Sequence, residues 1–410
     1  MKDKKVERLI GQEKRRQRET LDLIPSENII SADVLRALGS EFSNKYAEGY
    51  PGARYYAGNR YADDIENLCR ERALAAFHLS AKQWHANVQP YSGSPANFAV
   101  YLALVPPGEK IMGLALAMGG HLTHGHGVSA TGKFWTPVRY EVNKKTELLD
   151  YNAIARIARR ERPRVIVAGY TAYPRTIDFK KFRRIADSVH AYLMVDMSHF
   201  AGLVAGGAHP SPFPYADIVT TTTHKTLRGP RGAMIFVNRA SKIAARNKID
   251  IVKAVNLAVF PGIQGGPHLN QIAATAVALQ EAKQAAFKKY ARQIVKNARA
   301  LAGELTRLGW RVVSGGTDTH LLLVDTAARG IFGKEASIRL ENNGIITNYN
   351  TIPHDPRPPM DPSGIRLGTP TLTTRGMKER EMKEVARLMD AVLAGNKDVK
   401  KEVKRLCARF

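Results

Sequence analysis

Short apolar runs alternate with longer stretches of three-to-four-residue apolar period along most of this chain, the pattern of strands interleaved with helices. Residues 164–169 form one apolar run, 179–189 read as an amphipathic helix, and 191–196 form the next run, ending in a carboxylate. That is a strand–helix–strand unit whose crossover of about 20 residues makes the two strands parallel neighbours. Residues 217–223 and 233–238 extend the strand set. A long helical region is predicted over 268–308, with Ile294, Ala298, Leu301, Leu305 and Leu308 on one stripe closed by Gly309. Further on, 311–313 and 321–325 read as strands and 375–394 as a charged helix. The elements predict an α/β fold in three parts. Residues 1–20 form a charged helical arm, and 21–275 a large domain with a mostly parallel sheet between helices. Residues 276–410 form a smaller C-terminal α/β domain begun by the long bridging helix.

Composition narrows the class. Hydrophobic content of 44% over 410 residues is that of an ordinary globular enzyme, and no apolar run is long enough to span a bilayer. The first residues, Met-Lys-Asp-Lys-Lys, lack the apolar core of a secretory signal. Two cysteines, Cys69 and Cys407, make neither a disulfide framework nor a metal cluster, so a reducing cytoplasm is expected. The net charge of +25 is the oddity, and most of it lies in the body of the chain rather than at the ends. Solvated helix faces account for such a balance, as does a basic entrance for an anionic substrate. No helix-turn-helix, zinc finger or RNA-binding pattern accompanies the charge, which argues against nucleic acid.

Candidate chemistry sits at strand ends. In open α/β sheets, ligands lie beyond the carboxyl ends of the strands, where Asp196, His199 and Lys225 all fall. Lys225 follows a threonine-rich run and precedes a Gly-Pro-Arg-Gly turn. A strand-end aspartate followed by such a lysine suits a pyridoxal phosphate site. There the lysine holds the cofactor aldehyde as a Schiff base, and the aspartate keeps the pyridine nitrogen protonated. His224, next to that lysine, reads equally as a packing residue or a cofactor contact.

Four loops add to the site. Ser92, Gly93 and Ser94 precede a helix with Pro95 at its expected first position; they read as a phosphate cradle or as an ordinary N-cap. Two histidines among glycines at 119–125 fit a ring stacked on an aromatic cofactor better than a metal site. Glu48 lies in a loop rich in tyrosine and glycine, which reads as an acid/base site raised in pKa by desolvation or as a plain aromatic surface loop. Arg366, in a strand-like run between glycines, suits either bidentate capture of a carboxylate or a structural salt bridge.

Longer motifs carry a family likeness. LIPSEN (23–28), NKYAEGYPGARYY (44–56), NVQPYSGSPAN (87–97), GGHLTHG (119–125), VDMSHFAGLVAGG (195–207), TTTTHKTLRGPRG (220–232), VFPGIQGGP (259–267), VVSGGTDTHLLLVD (312–325) and SGIRLGTP (363–370) stand in order along the chain. Together they resemble serine hydroxymethyltransferase, a fold-type I enzyme that depends on pyridoxal phosphate. The resemblance implies reversible transfer of the serine hydroxymethyl carbon to tetrahydrofolate, giving glycine and 5,10-methylenetetrahydrofolate. It also implies a side activity as a β-hydroxy amino acid aldolase.

Position by position, the resemblance gives Lys225 the covalent link to the cofactor and Asp196 the pyridine nitrogen. His121 would stack on the ring, Thr171 and His199 would lie near its phenolic oxygen, and His224 counts among the cofactor residues. Ser92, Gly93 and Ser94 would hold the phosphate from one subunit, with Tyr46, Gly265 and Gly266 reaching it from the other. That sharing implies an obligate homodimer, as such or as half of a tetramer. Arg366, Ser26 and Tyr56 would bind the amino-acid carboxylate, and Glu48 would serve as acid/base residue. Leu116, Gly120, Leu122 and Asn350 match the pterin positions. The positive charge would help retain polyglutamylated folate, whose tail is polyanionic. Three positions depart from the family pattern: Met118, Pro95 and Ile263.

Overall fold

A computed structural model describes residues 1–410 and divides the chain into two compact units, Asn28–Arg292 and Met1–Glu27 with Gln293–Phe410. In the first of these, seven strands form one sheet: β1 (Trp84–Asn87), β2 (Lys110–Leu114), β3 (Thr136–Tyr140), β4 (Val165–Gly169), β5 (Tyr192–Asp196), β6 (Ile218–Thr222) and β7 (Ala233–Asn238). Their order across the sheet is β1-β7-β6-β5-β4-β2-β3, and only β7 runs against its neighbours. Strands β4, β5 and β6 are buried along their whole length, as expected for a parallel sheet covered on both faces. The buried threonines of β6 keep their hydroxyls satisfied. Thr220 donates to Asn97 Oδ1 at 2.7 Å and Thr221 to the Thr222 carbonyl at 2.9 Å.

The second unit holds a four-stranded antiparallel sheet of β8 (Arg311–Val312), β9 (Leu321–Asp325), β10 (Asn348–Asn350) and β11 (Gly364–Gly368), ordered β8-β9-β11-β10. Leu301, Leu305, Leu322, Leu367 and Met382 share its core with Leu21 and Leu23. The N-terminal helix α1 (Lys4–Glu19) buries no side chain, in keeping with an arm. Residues 21–27, expected in the large domain, group instead with the C-terminal unit. Leu21 and Asp22 pair in parallel with Ile345 and Ile346, and this burial outweighs their distance along the chain.

The long helical region over 268–308 is two helices, Leu269–Ala282 and Ala285–Arg307, and the division between the units falls inside the second rather than near 275. Of its predicted stripe, Ile294, Ala298, Leu301 and Leu305 are buried and Leu308 is partly buried, and Gly309 closes it with a left-handed φ of 86°. The charged helix expected over 375–394 is Glu379–Leu393.

Candidate active site

The site of Asn28–Arg292 is assembled where β5 and β6 end. Asp196 is the last residue of β5 and is buried. Its Oδ1 accepts from the Ser198 amide at 3.1 Å. Its Oδ2 accepts from Asn97 Nδ2 at 2.9 Å and from His124 Nε2 at 3.1 Å. Burial alone would raise its pKa, but the His124 hydrogen bond, the electrostatic pull of the His124 and His121 imidazoles on the anion, and the Ser198 amide outweigh it and hold the carboxyl far below the usual carboxylate range. Asp196 is therefore a fixed anion at the end of the sheet.

Asn97 and His124, neither assigned a role from sequence, orient the aspartate. Asn97 donates to Thr123 Oγ1 at 2.9 Å as well as to Asp196, and accepts from Thr220. His121 Nδ1 accepts from the Thr123 amide at 3.2 Å, so the Thr123 hydroxyl, 2.7 Å away, donates to it as well, and the proton of a neutral His121 is on Nε2. Burial and the neighbouring His124 lower the His121 pKa to about 4, so the ring is neutral at pH 7. The signal for His124 was present in the two-histidine loop at 119–125. Asn97 had none, since one asparagine on an apolar helix has no pattern to betray its partner.

Lys225 lies past the end of β6, which stops at Thr222. Its Nζ donates to Thr222 Oγ1 at 2.9 Å, and Asn28 Nδ2 holds its carbonyl at 2.9 Å. The turn behind it is closed by Gly229 N to Thr223 O at 2.7 Å and Thr223 N to Gly232 O at 3.0 Å. His224 has a buried Nδ1 without a hydrogen-bond partner, and burial together with Lys225 and Arg231 lowers its pKa to about 3. His199 is buried, with its carbonyl accepting from Thr226 Oγ1. Thr171 donates from Oγ1 to Gly120 O at 2.8 Å, pinning the loop that carries His121.

Ser92 is the N-cap of α3 (Gly93–Leu104), but its hydroxyl makes no capping bond. Pro95 is thus the third helical residue rather than the first, a position equally free of an intrahelical donor. A side chain at Gly93 would meet Thr222 Cγ2 at 2.8 Å, so only glycine fits this close approach to β6. An uncapped serine at a helix start, a fixed carboxylate and a lysine at adjoining strand ends fit pyridoxal phosphate. Ser92, Gly93 and Ser94 would take its phosphate, Asp196 its pyridine nitrogen and Lys225 its aldehyde.

A second cluster of the same unit surrounds Glu48. Tyr46 Oη donates to Glu48 Oε1 at 3.0 Å, and the Tyr46 and Tyr56 rings meet edge-to-face at 5.1 Å. Gly265 and Gly266 approach closely enough that added side chains would touch Glu48 and Tyr46. Arg54 sets this loop: its Nη1 donates to Ala47 O at 2.9 Å and Gly49 O at 2.7 Å, the carbonyls on either side of Glu48. The same guanidinium pairs with Asp63 at 2.8 Å and Glu66 at 2.7 Å, and its side chain and that of Glu66 are 4% and 1% exposed. Replacing Arg54 by methionine leaves Glu66 buried without its cation, so a loss of about 3–5 kcal/mol is expected in urea unfolding. An unchanged midpoint would mean that the pair does not hold the loop.

Of the remaining positions, Leu116, Gly120 and Leu122 share the 115–125 segment, with Leu122 43% exposed. Met118 is buried beside them, and Ile263 packs partly buried on the apolar cluster of α3. In the other unit, Arg366 lies on β11, donates from Nε to Asn348 Oδ1 at 3.0 Å, and has its pKa lowered to about 10 by burial. Ser26 follows Pro25, which packs on Gly368 near the end of the same strand, and Gly368 N donates to Leu23 O at 2.7 Å. Asn350, on β10, donates to Thr351 O.

Comparison with known proteins agrees with this geometry. The family model described as serine hydroxymethyltransferase matches residues 1–389. A serine hydroxymethyltransferase of Acidobacterium capsulatum is 54% identical over 391 residues, covering 95% of this chain and 88% of that protein. That of Koribacter versatilis is 52% identical over 414 aligned positions, covering 100% and 94%. That of Acidothermus cellulolyticus is 54% identical over 390 residues, covering 95% and 88%. With the match running through nearly every element that carries a site residue, the chain belongs to the serine hydroxymethyltransferase family.

Proposed function

We propose that this chain moves the hydroxymethyl carbon of serine reversibly to tetrahydrofolate, giving glycine and 5,10-methylenetetrahydrofolate, with the residues named above in the roles that follow. The observation that carries the reading is the Asp196 anion, held on both oxygens at the end of the same sheet that presents Lys225. Bound pyridoxal phosphate supplies a pyridinium ring that accepts the electron pair released at the α-carbon of the amino acid.

Asp196 keeps the proton on the pyridine nitrogen because its own proton affinity is so low. Neutral His121 would stack on the cofactor ring without adding a competing charge. Lys225, whose Nζ is steadied by Thr222, would supply the amine that holds the cofactor aldehyde. Arg366, oriented by Asn348, grips the serine carboxylate together with Ser26 and Tyr56. Glu48 moves the proton at the serine hydroxyl oxygen, with Tyr46 Oη hydrogen-bonded to it. Leu116, Gly120, Leu122 and Asn350 bind the pterin. A β-hydroxy amino acid aldolase activity belongs to the same proposal, since it uses these groups without the pterin. Tyr46, Tyr55, Tyr56 and Tyr61 are 48–77% exposed in the single chain, which supports a homodimer that covers them. Buried free thiols at Cys69 and Cys407 suit a cytoplasmic location.

Arg366→Lys tests the carboxylate grip. Losing a bidentate, charge-assisted contact is expected to raise KM for serine by about tenfold to a hundredfold with a smaller change in kcat. An unchanged KM would remove Arg366 from the substrate site. Assaying serine cleavage with and without tetrahydrofolate separates transfer from aldolase activity.

A further inference from the structure

A cavity of about 400 Å³ in Asn28–Arg292 lies between helix α2 (Arg60–Ala76) and strand β1, with Arg239 at its rim. Arg70, Glu71, Leu74, Trp84 and His85 line it. None of these residues has a role in the reaction proposed above.

Its chemistry is set by two guanidinium groups, neither of which has a carboxylate within 4.0 Å. Arg239 spends its backbone N–H on Gln83 O, while its exposed side chain makes no hydrogen bond within the chain. Arg70 makes two long contacts, to Asn67 Oδ1 at 3.4 Å and His85 Nδ1 at 3.3 Å. A guanidinium has five N–H donors, so most of its capacity is unspent.

His85 explains why the arginine is aimed here. Asn256 Oδ1 accepts from both Asn87 Nδ2 at 2.9 Å and His85 Nε2 at 3.1 Å. The imidazole proton is therefore on Nε2, and Nδ1 accepts from Arg70. His85 is 6% exposed, and burial together with the charges of Arg70 and Arg239 lowers its pKa to about 4, against the Asn256 bond. Burial is the larger cause, and the charges of Arg70 and Arg239 both reach the ring and add to it. Glu71 is the one acidic side chain on the lining; Glu66, behind it, is bonded to Arg54 and Gln89 and also feels the Arg70 charge without touching it. Leu74 and Trp84 add an apolar floor to the cavity.

We propose that Arg70 and Arg239 form a binding site for a small oxyanion, a carboxylate or phosphate carried on a compact apolar body. The guanidinium forks take the anion, and the Leu74–Trp84 floor takes the body. The site is distinct from the Lys225 centre, and its polar wall continues through Asn256 and Asn87 to Tyr50 Oη, two residues from Glu48.

The test is a histidine NMR titration of the cofactor-loaded enzyme with and without millimolar inorganic phosphate. Loading keeps the probe out of the cofactor's phosphate site. An anion beside Arg70 and Arg239 cancels part of their field, so the His85 pKa should rise by about one unit, a tenfold gain in proton affinity. The phosphate response should vanish in Arg70→Met/Arg239→Met and persist in Arg156→Met/Arg159→Met, which removes two charges from an exposed helix face elsewhere. A wild-type His85 that ignores phosphate would overturn the proposal. So would a response of equal size in the Arg70→Met/Arg239→Met protein.

Discussion

Replacing Lys225 by alanine is expected to lower turnover of serine by at least about a thousandfold, because no neighbouring group can substitute for its amine. Thr222, its hydrogen-bond partner, is a hydroxyl at the end of a buried strand, and His224 has its pKa depressed to about 3 but belongs to the following loop. The substitution should leave the fold intact, since the turn is closed by backbone bonds at Gly229 and Gly232 and the Lys225 carbonyl is still available to Asn28. Two measurements decide the matter. Steady-state kinetics should show a collapse in kcat. The visible absorbance of the purified variant should lose the signature of lysine-linked cofactor, while pyridoxal phosphate still binds reversibly through Asp196 and the Ser92–Ser94 cradle. Near-normal turnover in the alanine variant would assign the covalent role to another residue.

Asp196→Asn is expected to cost about a thousandfold in kcat with little change in shape. The amide cannot hold a full negative charge beside a pyridine nitrogen, so the ring loses the proton that makes it an electron acceptor. There is a structural cost as well. Asn97 Nδ2, His124 Nε2 and the Ser198 amide all donate to the carboxylate, and an asparagine side chain can satisfy these donors with one oxygen only. Each charged hydrogen bond lost contributes about 1.5–3 kcal/mol, so the melting temperature should fall along with activity. A variant with normal stability and turnover within a few-fold of wild type would show that the pyridine proton does not depend on this residue.

Residues 191–196 and 217–223 illustrate how much of the site was legible. Both runs are buried strands of a parallel sheet, and burial on two faces leaves an unbroken apolar or threonine-rich stretch that can be read without knowing its neighbours. Since ligands collect beyond the carboxyl ends of such strands, Asp196 at the end of its strand and Lys225 three residues past the end of the next were placed from local pattern alone. Glu48 was legible as a carboxylate among tyrosines, but its anchor was not. Arg54 grips Ala47 and Gly49 through a guanidinium whose counter-charges, Asp63 and Glu66, lie on a separate helix, and such a contact leaves no period in the chain. The same holds for Asn97, which reaches Asp196 across 99 positions of sequence.

By itself the sequence determined the order of elements, the α/β class, the helix stripe from Ile294 to Leu305, the placing of Asp196 and Lys225 at and just past strand ends, and the family. These depend on spacing within one element or on residues in order, which are local quantities. Tertiary structure alone decided that Leu21–Asp22 pairs with Ile345–Ile346 and so carries residues 21–27 into the C-terminal unit. It also decided that His124 and Asn97 share one oxygen of Asp196, and that Arg70 and Arg239 line one cavity. Those outcomes depend on which side chains meet after the strands are ordered, and hydrogen bonds between distant residues are selected by geometry that no periodicity records.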